Sequence, residues 1–347
     1  MAGRHPIKVG FISPGLKLGG AELWIYLLAR FFDACVPVGV AITNGVSPLI
    51  ARRLQKYCPI FSRNVYPYVC RAANPWKEVF DRSDIVLAWG QPLLPNVTGI
   101  SEEELRKKVV FVSHSASDRG ALLVKHASQW SLAIVAVSRF SRNQMDHDLQ
   151  ARCEVIWNGA DVERSLPRGK QDLWHVKDRI RGRKVALYVG RLTPDKGAWQ
   201  IMMLSKALPP SWVLMAVGDV LIDSPDLDRI VVVPPVWHIG DYLGMADALV
   251  SLSPCEAFPL TWIEAWQAGV PVVCCRTGPV EELEEEFGPM VSCVTSLTST
   301  DEVVHYLQCR RRDDNITSRA RNVALEYLTA SRMAERWERY LERLMDR

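Results

Sequence analysis

The chain has 347 residues, a length that suggests about two domains. Hydrophobic residues make up 48% and charged residues 23%, the balance of a folded globular protein and not of a disordered one. The net charge is +3, from 42 basic and 39 acidic residues, which excludes nucleic acid as the default partner.

Short apolar runs alternate along the chain with longer segments of helical period, the signature of strand-helix units around a parallel sheet. In the first half, strands are expected over 7–12, 36–42, 84–89, 109–113, 132–137 and 154–157, with helices at 20–32 and 138–150 between them. The stretch 159–183 loses its apolar period and reads as a polar connector. A second series of strands is expected over 184–189, 212–217, 230–233, 248–252, 270–275 and 290–294. Two such series give two doubly wound domains, with a ligand cleft between them as the default expectation. In the tail 331–347, Met333, Trp337, Tyr340, Leu341 and Leu344 recur at helical spacing among Arg and Glu, so an amphipathic helix is expected there.

No apolar run reaches the ~18 residues of a membrane span. The opening segment shows no apolar signal region, and the protein is expected to be cytoplasmic. The nine cysteines form no CxxC pair and no zinc-like cluster; they read as reduced core residues. Arg52, Arg53, Lys56, Arg63, Arg71 and Lys77 read as a solvated basic surface in preference to a membrane-facing patch.

Ligands of open parallel sheets sit beyond the carboxyl ends of the strands, so the residues after each apolar run are the candidates. After the first strand, Gly19-Gly20 precedes a helix whose start either faces an anion or simply forms a glycine turn; the dinucleotide fingerprint GxGxxG is absent. His114 follows the run 109–113 at a strand mouth, as a site residue or as a loop hydrogen-bonding residue, whereas His126 and His238 read as structural. In Gly190-Arg191-Leu192-Thr193-Pro194-Asp195-Lys196-Gly197, a guanidinium fork and a mobile ammonium lie five residues apart, suited to a pair of phosphates. Gly218-Asp219 marks another strand mouth.

Glu256 and Glu264 are eight residues apart. On one continuous helix they would be ~12 Å apart, beyond the roughly 5–9.5 Å of a hydrolytic pair. Glu256 is therefore expected in a loop and Glu264 on the following helix, holding different parts of one extended ligand. Amides at the helix start, around Leu260 and Thr261, are placed to meet a phosphate.

The whole pattern resembles a retaining glycosyltransferase of family 4 (glycosyl transferases group 1) with the GT-B fold. The landmarks run in order: Gly19-Gly20-Ala21-Glu22, Val112-Ser113-His114, Val137-Ser138, Trp157-Asn158-Gly159-Ala160-Asp161, Gly190-Arg191-Leu192 with Lys196-Gly197, Gly218-Asp219, Tyr242 with Ala246-Asp247, and the segments 256–264 and 268–273. The resemblance implies two Rossmann-like domains facing across a cleft. Residues 1–165 would form the acceptor-binding domain and 166–328 the nucleotide-sugar domain, with a helix over 329–347 crossing back to the first.

By the same resemblance the catalytic set is His114, Glu256, Arg191 and Lys196. Arg191 and Lys196 would grip the donor diphosphate, Glu264 the ribose hydroxyls, and Glu256 hydroxyls of the sugar. His114 would lie near the transferred sugar, and Gly19-Gly20 would close over the phosphates. Gly190, Gly218, Asp219, Phe258, Leu260 and Thr261 complete the expected sugar-donor site. The implied co-substrate is a nucleotide-diphosphate sugar, the acceptor a carbohydrate, lipid-linked or small molecule. No cofactor or divalent metal is expected, and peripheral membrane contact is not indicated.

Two departures from the family pattern stand out. Ala257 and Pro259 replace glycines of the common Glu-Gly-Phe-Gly-Leu, and Pro259 has no N–H to offer a phosphate. One glycine, Gly278, stands where relatives often have two, so Glu281 receives no role. The alternatives are a sugar-nucleotide epimerase or a glycosidic phosphorylase on the same fold, or a non-catalytic nucleotide-sugar-binding or partner protein.

Overall fold

The computed structural model describes residues 5–91, 93–115, 117–169, 173–222, 227–294, 300–309 and 314–346. Residues 1–4 of the opening segment and 170–172 of the expected connector lie outside them. The chain forms two compact units, residues 1–158 with 330–347, and residues 159–329.

The first unit contains β1 (Ile7–Ser13), β2 (Cys35–Ile42), β3 (Ile60–Ser62), β4 (Cys70–Arg71), β5 (Ile85–Ala88), β6 (Val109–Ser113), β7 (Ala133–Ala136) and β8 (Cys153–Val155). They form one sheet in the order β4-β3-β2-β1-β5-β6-β7-β8, with parallel pairing throughout. β1 is buried from Val9 onward and β5 and β6 along their whole length, because helices cover both faces of a parallel sheet. The order reverses between β1 and β5, so the loops after these two strands flank the switch point where ligands of such sheets bind.

The second unit repeats the plan with β9 (Lys184–Val189), β10 (Trp212–Val217), β11 (Ile230–Val233), β12 (Ala248–Ser251), β13 (Val272–Cys275) and β14 (Ser292–Val294). Their order is β11-β10-β9-β12-β13-β14, again parallel, and the switch point lies between β9 and β12. The loops leaving β9 and β12 are the two that carry Arg191, Lys196 and Glu256.

Several expectations are corrected. β3 and β4 are not announced by the sequence: three residues and two exposed residues are too short to show an apolar pattern. The segment 138–150 is two helices, Arg139–Asn143 and His147–Ala151, separated where Asp146 takes extended backbone. Within the polar connector, the described residues include helices Val162–Ser165 and Trp174–Ile180. Residues 159–165 belong to the second unit, because helix Val162–Ser165 is bolted to helix Leu260–Gln267. Ser165 Oγ donates to Gln267 Oε1 at 2.7 Å, and Gln267 Nε2 donates to the Ala160 carbonyl at 3.2 Å. Of the cysteines, Cys35, Cys58, Cys153, Cys274 and Cys275 are buried, whereas Cys70 and Cys309 are exposed. Burial pushes the Cys58 thiol up to about 12.

The tail forms helix Ala330–Met345, which belongs to the first unit and buries Met333, Trp337, Tyr340 and Leu341. Trp337 meets Trp24 edge-on at 5.4 Å between centroids. A polar clamp fixes the same helix: Glu338 Oε1 accepts the backbone N–H groups of Asp33, Ala34 and Cys35 at 2.7, 2.7 and 3.0 Å. Among the described residues no helix is long and apolar enough to cross a membrane. In the basic surface, Arg63 lies over the Trp76 ring and Lys77 pairs with Asp81 at 2.9 Å.

Replacing Glu338 by Ala strands three N–H donors, that of Cys35 buried and those of Asp33 and Ala34 partly so. We expect Glu338→Ala to lower the stability of the first unit by about 2–3 kcal/mol, read by chemical denaturation. A change under about 0.5 kcal/mol, the size of an ordinary surface substitution, would show that the clamp contributes nothing.

Candidate functional site

The second unit's candidate site is built on two facing loops. After β9 the chain turns at Gly190, whose φ of 146° lies in the region favouring glycine. It then continues through the short turn Pro194–Lys196 to Gly197, at φ 76°. A side chain at Gly197 would run into the Leu252 carbonyl at the end of β12, so glycine permits the two loops to touch. Gly218, at φ 148°, is likewise pressed on the Gly190 carbonyl, and the Asp219 carbonyl accepts the Leu192 N–H at 2.7 Å. Tyr188 donates its hydroxyl to the Arg191 carbonyl at 2.7 Å. Burial, reinforced by Glu256 and Asp195, raises the Tyr188 phenol well above its usual range and keeps it a donor.

The loop after β12 is tied to the first by Ser253, whose hydroxyl lies 3.3 Å from the Asp195 carbonyl and 3.1 Å from that of Cys255. The Glu256 N–H donates to Thr277 Oγ1 at 3.2 Å, and Gly278 packs against the Glu256 carbonyl. Held this way, Glu256 reaches Lys196: Nζ to Oε1 is 2.9 Å, with side-chain exposures of 14% and 32% respectively. Arg191 is exposed at the same strand end, and among the described residues it makes no ion pair. The structure thus brings Lys196 together with Glu256, while Arg191 and Asp219 reach solvent beside them.

Helix Leu260–Gln267 follows, capped by Pro259 in extended backbone without a side-chain hydrogen bond. Its first amides, on Leu260 and Thr261, precede the intrahelical ladder, while Phe258 is buried beneath the turn. Glu256 lies in the loop and Glu264 on the helix, as the spacing expects. Glu264, 3% exposed, forms an ion pair at 3.0 Å with Arg164, 7% exposed. Burial raises the Glu264 carboxyl, and Arg164 opposes that rise. Arg164 is missed by sequence reasoning, because it lies 100 positions from Glu264; the one available signal was its place just after Trp157-Asn158-Gly159-Ala160-Asp161. Glu281 sits at the surface beside Arg276, 3.4 Å away. Asp247 serves the sheet, accepting the Val185 N–H at 2.8 Å.

The first unit carries the remaining candidates. His114 leaves β6 between two indoles, 4.9 Å from Trp24 and 5.7 Å from Trp89, with Nε2 buried and unpartnered. Burial pushes its imidazole down to about 3, so the ring is neutral at physiological pH. Gly19 caps helix Gly20–Phe31 in ordinary extended backbone; open space surrounds the position a Gly20 side chain would take, leaving room for a ligand to approach. His238 is structural, its Nε2 lying 2.9 Å from the Glu163 carbonyl. Trp76 is core. Among the described residues no group of three or more His, Cys, Asp or Glu side chains clusters as a metal site.

Comparison with known proteins gives the family and the fold. Residues 18–164 match the family model Glycosyltransferase Family 4, and residues 170–321 match Glycosyl transferases group 1. The chain belongs to the family 4, group 1 glycosyltransferases. An uncharacterized glycosyltransferase of Methanocaldococcus jannaschii is 25% identical over 178 residues, 48% of this chain and 46% of that protein. A D-inositol 3-phosphate glycosyltransferase of Mycobacteroides abscessus is 26% identical over 158 residues, 41% of this chain and 36% of that protein. The chain spans less than half the length of these curated relatives. Among solved structures, Anabaena Alr3699/HepE in complex with UDP-glucose superposes with a TM-score of 0.74 at 18% identity, covering 97% of this chain and 100% of that one. Both sheets therefore have the GT-B architecture.

The His114 environment has a pH consequence. Above its ordinary value of 6.5 the ring is neutral both folded and unfolded; below it the unfolded chain takes up a proton that the folded chain refuses. Stability contributed by this site is lost as pH falls from about 6.5 toward about 3. We expect His114→Gln to lose less stability between pH 7 and pH 5 than the wild type in urea unfolding; equal losses would show that the imidazole is not held neutral.

Proposed function

We propose that this chain is a glycosyltransferase that moves a sugar from a nucleotide-diphosphate sugar to an acceptor hydroxyl, without a divalent metal and with retention of anomeric configuration. The observation that carries this reading is the Lys196–Glu256 juxtaposition at the switch point of the second sheet, beside exposed Arg191 and the uncapped start of helix Leu260–Gln267. In a chain of this family, those groups are the ones the donor requires.

Transfer breaks the bond between the anomeric carbon and the leaving phosphate oxygen, while a bond forms to the acceptor oxygen on the same face. Charge builds on the diphosphate and on an oxocarbenium-like carbon. Lys196 keeps N–H donors beyond the one given to Glu256, and these meet the departing diphosphate together with Arg191. The amides of Leu260 and Thr261 add the helix-start field; Pro259 has no N–H to add. Glu256, oriented by Lys196 and Thr277, accepts hydroxyls of the sugar. The acceptor's proton passes to the leaving phosphate. Within the first unit, His114 keeps a neutral imidazole at its strand mouth and Gly20 leaves open space beside the backbone.

The support is local as well as familial. A phosphorylase or epimerase on this fold lacks a specific observation in its favour.

Lys196→Ala removes one charged donor at the developing anion and is expected to lower turnover roughly 10²–10³-fold. Loss under about threefold, far outside that range, would remove Lys196 from the diphosphate site. Proton NMR of the wild-type product should show the anomeric configuration of the sugar donor; an inverted product overturns the retaining mechanism.

A further inference from the structure

We infer that Arg164 is a positioning residue for the nucleotide: it holds one oxygen of Glu264 so that the other is presented to a vicinal diol, which selects a ribonucleotide sugar over a 2′-deoxyribonucleotide one. The inference rests on the proposed function and assigns a residue and a donor class to it.

The geometry is specific. Arg164 Nε and Nη2 both reach Oε1 of Glu264, each at 3.0 Å. A guanidinium that serves only as a structural partner commonly engages a carboxylate through two parallel bonds, one to each oxygen. Here both donors converge on Oε1, and among the described residues no hydrogen bond reaches Oε2. The guanidinium is itself locked. Its Nη1 donates to the Trp237 carbonyl, and its carbon lies 4.9 Å from the Trp237 ring centroid.

The backbone beneath Arg164 is equally constrained. Asp161 caps helix Val162–Ser165 by accepting the Glu163 N–H at 3.1 Å. Ser165, the next residue, bonds Gln267, one turn beyond Glu264 on the facing helix. Two contacts one turn apart therefore fix the rotation of Glu264 about its helix.

Charge decides what the second oxygen takes. Glu264 is nearly enclosed, and a buried carboxylate paired with a guanidinium has its charge compensated, so a cation is not required. An oxygen acceptor with spare lone pairs in such a place suits O–H donors, and a ribose offers two side by side. Burial raises the Glu264 carboxyl, Arg164 opposes that rise, and Asp161 adds to it. A site built to bond two hydroxyls discriminates against a ligand lacking one, because its polar group is then left unpaired.

The test is isothermal titration of the full chain with UDP, GDP and ADP and with their 2′-deoxy forms. Wild type should bind one ribonucleotide roughly tenfold or more tightly than its 2′-deoxy form, the size of one charged hydrogen bond. Arg164→Lys keeps the charge and loses the fork. Its preference should fall below about threefold while affinity for the 2′-deoxy form stays within about twofold, since only the bond to the missing hydroxyl is affected. If Arg164→Lys does not fold, Arg164→Met/Glu264→Gln removes both buried charges at once and should bind the two forms equally. A wild type without the preference, a variant that retains it, or equal weakening of both forms overturns the inference. A wild type that binds no nucleotide overturns the proposed function instead.

Discussion

The Lys196–Glu256 juxtaposition in the second unit depends on one close approach, that of the Gly197 backbone to the Leu252 carbonyl. The contact needs a left-handed turn and no side chain, and it seats the loop after β9 on the loop after β12. Lys196 and Glu256 meet at 2.9 Å as a result. Ser253, Thr277 and Gly278 then brace the Glu256 side of that contact. A cation and a carboxylate are thereby held together at the sheet's switch point, and the proposed function assigns the first to an anion and the second to hydroxyls.

The two ion pairs of this unit differ in kind. Lys196–Glu256 is partly open, and its energy is modest and screened. Arg164–Glu264 is nearly enclosed; its main consequence is a fixed carboxylate, since burial of both charges offsets much of their attraction. The open pair leaves its polar atoms reachable by a ligand, whereas the closed one holds its carboxylate in one orientation. The first unit supplies a contrasting element, a neutral imidazole held between indoles. A pair of all-parallel sheets with loops at corresponding switch points is what allows such different groups to be presented at strand ends.

How much of this was legible depends on how local each signal is. Long buried strands such as β6, β9 and β10 announce themselves by unbroken apolar runs, and their bounds match those read from sequence. β3 and β4 are too short to do so, and helix Val162–Ser165 is four residues of mixed polarity. The strand-mouth positions of His114, Arg191, Lys196 and Glu256 followed from the runs before them, and the loop-and-helix split of Glu256 and Glu264 followed from spacing. Arg164 did not follow, because a contact across 100 residues leaves no periodic trace. The two helices within 138–150 were merged because Asp146, which separates them, is compatible with helix in composition and decides otherwise only by its backbone.

The most direct test is isothermal titration of UDP, GDP and ADP into the full chain and into Lys196→Ala, in buffer containing EDTA. A metal-free diphosphate site built on Lys196 requires one nucleotide to bind wild type under chelation and to bind the variant roughly tenfold or more weakly, the value of a charged hydrogen bond. Binding that appears only after magnesium is added, or that is unchanged in Lys196→Ala, would contradict it.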